Sequence, residues 1–190
     1  MIITRRTLIG TAATATVPLL SIIPVGAVAS DQFDVSSVRT APQFAAQVMP
    51  RAVLSRATCE IAVKKAHRDD AKEFAGLELM EANTVLKILV ELGTPVPPMG
   101  ADAQATLAHI RDAEVGTAFD KAFIGAQYHN HVFLRDLAAA YLKNADADTS
   151  SPSVDERHGQ QIASLGLFAF TEHVVITNHI LQALSAGERQ

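Results

Sequence analysis

The amino-acid sequence predicts an all-α fold: an antiparallel four-helix bundle with a short extra helix before the third long one. Three observations carry this. Apolar residues recur at steps of three and four over four long segments, no segment alternates in the two-residue rhythm of a strand, and the breaks between periodic segments are rich in Gly, Pro, Ser or Asn. An amphipathic helix must bury its apolar stripe against a neighbour, and four such stripes on short links close on one another. With 190 residues, 48% apolar and 19% charged, the chain has the material for one domain.

Residues 1–29 differ from the rest. Arg5 and Arg6 head the segment, an Ala-rich and Thr-rich apolar stretch runs from Leu8 to Ala29, and no acidic residue precedes Asp31. A positive head, an apolar middle and the small-x-small ending Ala27-Val28-Ala29 make a secretory signal, with cleavage expected after Ala29. The order Thr4-Arg5-Arg6-Thr7-Leu8-Ile9 resembles a twin-arginine signal, which implies export of an already folded protein to the periplasm or envelope. The alternative is a retained anchor: the stretch is long enough to span a bilayer, although Pro18, Pro24, Gly10 and Gly26 weaken it. On the cleaved reading, the membrane is met only transiently.

Residues 30–41 are polar and read as an exposed lead-in, and the bundle domain is expected over residues 42–187. The first stripe comprises Phe44, Val48, Val53, Leu54, Ala57 and Ile61; Pro50 lacks an N–H, so a short helix followed by a long one from Arg51 to His67 is expected. Arg68-Asp69-Asp70 supplies a turn and an N-cap candidate. The next helix carries Phe74, Leu77, Glu81, Val85, Ile88 and Leu92, with Glu78 beside them, until Gly93 closes it. The Pro-rich stretch from Gly93 to Gly100 is a loop, and Asp102 is placed to cap a short helix ending near Asp112. After Gly116-Thr117, a helix from Ala118 to Lys143 turns Phe119, Phe123, Gln127, His131, Leu134 and Ala138 to one face. Asn144 to Ser153 is a linker, and the last helix spans Val154 to Ala186.

Sixteen Lys plus Arg against twenty Asp plus Glu leave a net charge of −4, which excludes a broad nucleic-acid footprint. Cleavage after Ala29 would make the body more acidic still, since the removed segment carries two Arg and no acid. The single Cys59 excludes an internal disulfide and every Cys-rich metal site, and its helical surroundings read as a buried, inert thiol. Phosphate-cradling loops, dinucleotide-binding glycines, the Gly-x-Ser-x-Gly elbow, His-Glu-x-x-His and the Glu-x-x-His of di-iron bundles are all missing, so no recognisable catalytic motif is present.

The histidines divide by geometry. His67, His109 and His158 fall near helix ends or on polar stretches; His129 and His131 lie two positions apart and cannot share a ligand on one helix. His131 and His173 are the two that point inward. Leaving an inward imidazole unpaired costs about 1–3 kcal/mol, so each needs a hydrogen-bond partner, such as Glu81, Gln127 or a buried water, or a metal. Glu60 is placed to pair with Lys64 on the surface; Glu78 and Glu81 share a face, one of them must lie near the apolar stripe, and a solvated edge is the default. A carboxylate buried near His131 would instead hold a proton or a cation. The candidate ligands for a single transition-metal ion are therefore His131 and His173, with Glu81 or Glu60.

Lys72 with Phe74-Ala75, the run Phe119-Asp120-Lys121-Ala122-Phe123-Ile124 with His131 eight residues beyond Phe123, and Phe170-x-x-His173 together resemble a bacterial exported ferritin-like family, domain of unknown function 4142, whose members are often labelled predicted outer membrane proteins. The likeness covers about residues 42–185. It implies a ferritin-like four-helix bundle in the periplasm or envelope and leaves the activity open. Where family members tend to carry a Glu and a His as polar core residues, this chain has Ser55, beside Ala57, and Ala82. Two functional readings follow: a non-catalytic binding or stress-related module of the envelope, or a metal-binding protein or oxidoreductase built on His131 and His173 with a carboxylate from the second helix. Substrate, protein partner and oligomeric state stay open.

Overall fold

The computed structural model describes residues 33–148 and 150–187; the signal residues Arg5, Arg6 and Ala29 lie outside them. A short 3-10 turn (Val35–Ser37) precedes five helices: α1 (Ala41–Lys65), α2 (Asp69–Glu91), α3 (Ala101–Asp112), α4 (Thr117–Asp146) and α5 (Val154–Gly187). The described residues contain no strand. The long helices pack as two pairs, α1 with α2 and α4 with α5, and α1 also touches α4 and α5, giving an all-α helical bundle. Among the described residues no helix is long and apolar enough to cross a membrane.

Sequence expectation and structure part company at α1, which runs unbroken through Pro50. An interior proline costs about 3 kcal/mol of helix stability. Phe44, Val48 and Met49 before it and Ala52, Ser55 and Cys59 after it are buried on the same core, and that burial offsets the lost hydrogen bond. The start of α1 is held by a capping box between Thr40 and Gln43. The stretch ahead of it is less exposed than its polarity suggests: Val38 is buried, and Nδ2 of Asn144 donates to its carbonyl at 2.6 Å.

The start of α2 is capped from elsewhere in the chain. Arg68 occupies the N-cap without a side-chain cap of its own, while the buried carboxylate of Asp120, on α4, accepts the backbone N–H groups of His67 and Arg68 at 2.9 Å each. Asp69 and Asp70 lie in the first turn, where carboxylates favour the positive end of the helix. Gly93, with φ of 83°, closes α2 in a conformation that favours glycine. The N-cap of α3 is Gly100, so Asp102, expected as the cap, lies two positions later in the first turn. Its end is tied down by Nζ of Lys65, which donates to the carbonyls of Arg111 and Ala113 at 2.7 and 2.6 Å.

The inward face of α2 also differs from the expected one. Ala71, Phe74, Ala75, Glu78, Ala82, Leu86 and Leu89 are buried, whereas Leu77, Ile88 and Leu92 are exposed. The seam is made of small residues that let the helices approach, with Phe74 and Glu78 one turn apart on it. At the other end of the bundle, Gly159 permits a close crossing: an added Cβ would lie 2.3 Å from Cβ of Ala41 and 2.8 Å from Oη of Tyr141. Glu156 fastens the same corner, accepting from Ala41 N at 2.8 Å and from the Tyr141 hydroxyl at 2.7 Å.

The apolar core forms two blocks along the bundle. One gathers Phe44, Val48, Met49, Leu137 and Tyr141; the other Cys59, Phe74, Phe119, Phe123 and Ile180. Apart from Asp120 at the start of α4, the buried polar residues fall between these blocks: Ser55 and Thr58 on α1, Glu78 on α2, Gln127, Asn130 and His131 on α4, and Thr177 on α5. A polar layer thus crosses the middle of the core.

The packing at Gly159 yields a paired expectation. Gly159→Ala should lower stability by about 1–3 kcal/mol through overpacking. Gly76→Ala, on α2 with no atom within 4 Å of the added Cβ, should raise it by about 0.5–1 kcal/mol through reduced backbone entropy. Urea denaturation of both variants measures the two effects, and equal midpoints would contradict the close crossing.

Candidate metal centre

Glu78, His131 and His173 meet in the polar layer. Oε2 of Glu78 lies 3.2 Å from Nε2 of His131 and 3.1 Å from Nδ1 of His173, and those two ring nitrogens are 3.1 Å apart. The three atoms form a nearly equilateral triangle. Donor atoms bound at about 2.1 Å to one ion stand roughly 3.0 Å apart in an octahedral arrangement and roughly 3.4 Å apart in a tetrahedral one. Among the described residues, these three form the group of His, Cys, Asp or Glu side chains placed to hold a metal ion.

A surrounding hydrogen bond orients one of the two rings toward the centre of this triangle. Nδ1 of His131 lies 2.8 Å from the carbonyl oxygen of Gln127, one turn back on α4. A carbonyl can only accept, so Nδ1 carries the proton and a neutral ring presents Nε2 unprotonated. On His173 the ring nitrogen away from the cluster, Nε2, faces Oε2 of Glu81 at 3.5 Å, while Nδ1 is hydrogen-bonded to Nε2 of His131 at 3.1 Å. The Ser55 hydroxyl donates a very short hydrogen bond to Oε1 of Glu78 and lies 3.2 Å from Oε1 of Gln127. Oε2 is therefore the free oxygen of that carboxylate. It is buried and has no aligned hydrogen-bond donor, although two ring nitrogens are close.

Burial alone would push the Glu78 carboxyl up, but the neighbouring His131 and His173 imidazoles and the Ser55 hydroxyl outweigh it and hold the group down to about 2. For His173 burial disfavours the charged ring, and the Glu78 carboxylate, with Glu81 behind it, overcomes this and raises the group above its ordinary value. Glu81 is raised, chiefly by burial, with His173 opposing. The cluster thus attracts positive charge, whether a proton or a cation. Burial first, and then the charge of Glu78, push the Cys59 thiol up, so it is the inert core residue its surroundings suggested.

Aromatic rings brace the triangle. The Phe74 ring stands edge-on to both imidazoles, with centroids 6.1 Å from His131 and 5.3 Å from His173, and the Phe170 centroid lies 6.1 Å from His131. Side chains one turn along α2 and α4 on the Phe74 side, including Phe123, belong to one apolar block, and Leu134 and Phe170 on the opposite side belong to the other.

Of the ligands expected from sequence, His131 and His173 come together. Glu81 reaches the outer nitrogen of His173 and is not among the three converging atoms. Glu60 is a correction: its side chain is 60% exposed on the outer face of α1 and pairs with Arg56 at 4.0 Å, in place of Lys64, so it cannot reach the core. The carboxylate of the triangle is Glu78, for which a solvated edge was the default, and its anchor is Ser55. One signal for Glu78 was present: Phe74 lies one turn before it, and the small residues Ala71, Ala75 and Ala82 mark the seam that contains both. His67, His109, His129, His158 and His179 are exposed.

These shifts give the metal-free protein a stability maximum between about pH 4.5 and 6.5. The depressed Glu78 contributes stability that is present above its unfolded value of 4.5 and is lost as pH falls toward about 2. The raised His173 contributes stability that is complete below its unfolded value of 6.5 and is lost as pH rises through its higher folded value. The raised Glu81 subtracts from the Glu78 gain above 4.5. Chelator-treated protein should therefore melt highest inside this window, and Glu78→Gln should flatten the acid limb; an unchanged acid limb would show that another group controls it. No protein-family model, curated protein or solved structure matches the chain.

Proposed function

We propose that this protein is an exported, ferritin-like helical bundle that holds one divalent transition-metal ion on Glu78, His131 and His173. The observation that carries the reading is the buried Oε2 of Glu78, which lies within 3.2 Å of two ring nitrogens yet has no hydrogen bond. A buried carboxylate oxygen and two ring nitrogens converging on one point need a positive centre among them, a proton or a cation. Two neutral imidazoles and one carboxylate on one face suit iron, zinc or manganese and leave positions for exogenous ligands. The outer partners, the Gln127 carbonyl behind His131 and Glu81 behind His173, are of the kind that orient metal-binding histidines.

The twin-arginine-like head at Arg5 and Arg6 supports export by a route that carries folded proteins, which suits loading of the ion before export. The resemblance to the exported ferritin-like family adds to this. Its departures matter as well: with Ser55 and Ala82 at two polar positions of the family pattern, the remaining donors supply one ion rather than a bridged pair. The convergence of two imidazoles and a carboxylate on one point is why we favour a metal-using module over a purely non-catalytic one.

The test is elemental analysis of protein matured in its own host, together with equilibrium dialysis against Fe(II), Mn(II) and Zn(II). One equivalent of a tightly held ion is expected. Glu78→Gln, His131→Ala and His173→Ala should each lower the affinity by about 100-fold or more, while Glu60→Gln leaves it unchanged. Saturation at 100 times the dissociation constant should stabilise the fold by about 2.7 kcal/mol. Failure of the chelator-free protein to retain any of the three ions, or equal affinities across the ligand variants, would overturn the assignment.

A further inference from the structure

A helix on the outside of a bundle turns one apolar stripe to its neighbours and a polar face to water. The last helix departs from this rule. Besides the inward seam through Ala163, Phe170, Thr177 and Leu184, α5 carries a second stripe, Leu165, Phe168, Glu172, Val175 and His179, at steps of three and four on its outer side, and all five are exposed. On α2, Leu77, Met80 and Ile88 are exposed as well. Between the two helices runs an apolar groove of about 290 Å³, with Ile88, Leu165 and Phe168 in its walls.

The size of this patch says what it is for. Leu77, Met80, Ile88, Leu165, Phe168 and Ile176 are between 38% and 71% exposed. Half-exposed side chains of this size each leave roughly 100 Å² in water, so together with Val175 they amount to roughly 700 Å² of apolar surface. A monomer ordinarily leaves a largest patch of roughly 300–600 Å² uncovered. The patch supplies most of the roughly 800 Å² per partner that a stable protein interface buries.

Charge and spacing select the occupant. Glu81 and Glu172 stand close enough for the charge of one to bear on the other, so the patch is acidic at its middle and repels an anionic lipid surface. The three-and-four spacing of the outer stripe is that of a seam between two helices. A second copy of the chain offers a helix of the same length and spacing. Set antiparallel about a two-fold axis near Val175 and Ile176, the two α5 helices bring each Glu172 against the other copy's His179, and Phe168 and Leu165 against the small residues Ala183 and Ala186 of the same stripe. Large side chains then meet small ones, and no carboxylate faces its own copy.

We propose that two copies of this chain associate through the outer stripe of α5 and the exposed flank of α2 as an antiparallel two-fold dimer, and that each copy closes the α2–α5 groove of the other. The groove shares Val48, Glu81, Val85 and Phe170 with a small pocket beside Glu78 and His131, so covering it covers the way to the ligand cluster. Dimerisation therefore slows release of the bound ion. That consequence rests on the metal reading above; the association of the copies does not.

Sedimentation velocity of protein matured in its own host should show twice the mass of one chain. Phe168→Glu and Leu165→Glu put charge into the apolar seam and should each weaken association at least about tenfold with the helical circular dichroism unchanged. His179→Glu should do the same by facing Glu172, and Glu172→His combined with His179→Glu should restore the dimer. Circular dichroism identifies a variant that has lost its helices, in which case the remaining variants decide. A wild type that is monomeric at every concentration, or that sediments with phosphatidylglycerol vesicles instead of with itself, overturns the proposal, as does a dimer undiminished in all the folded single variants. An exchanged pair that fails to restore association overturns the antiparallel placement. Loaded with Zn(II), the wild type should release the ion to a chelator several-fold more slowly than monomeric Phe168→Glu. Equal release rates overturn the closure of the groove, whereas protein that takes up no Zn(II) overturns the metal reading and leaves the dimer standing.

Discussion

The carboxylate of Glu78, held in the core beside two imidazoles, is the constraint around which the rest of the molecule is arranged. Taking an ionised carboxylate out of water costs several kcal/mol even after relaxation, and nothing apolar can compensate it. The chain compensates it locally. Ser55 donates to one oxygen, two ring nitrogens approach the other, and the Gln127 carbonyl and Glu81 set the rings that face it. These groups come from all four long helices, so the polar layer can form only when the bundle is assembled.

The apolar core has to accommodate that layer. It is split into two blocks, and the helices meet across the layer through small residues: Ala71, Ala75 and Ala82 on α2, Ala52 and Ser55 on α1. Leu77, Met80, Leu165 and Phe168 are exposed, and the α2–α5 face is apolar and lightly packed. Long-range fastening lies at the ends instead, where Asp120 caps the α1–α2 turn and Glu156 ties the start of α1 to α4 and α5.

Much of the helical frame was legible in the chain. The α4 stripe from Phe119 through Gln127 and His131 to Ala138 is buried as its period requires, and Ile124, Leu137 and Tyr141 widen the buried face. The α2 stripe was not legible in the same way. Leu77 and Glu78 are neighbours 100° apart, hydrophobicity favours turning Leu77 inward, and only the fit of Phe74 and the alanines against α1 places Glu78 there. Pro50 misled for a related reason: its local penalty is real, but the burial gained on both sides of it by a continuous α1 is larger.

The site divides along the same line. That His131 and His173 turn inward follows from periodicity along single helices, a local property each segment carries in its own residues. Which carboxylate joins them does not, since Glu60, Glu78 and Glu81 are all within the reach of one rotation or shift of their helices. The choice of Glu78, the exposure of Glu60 and the outer position of Glu81 follow from the rotation of α1 and α2 about their axes. Those rotations are fixed by contacts between residues far apart in the chain, whose energies no single helix contains.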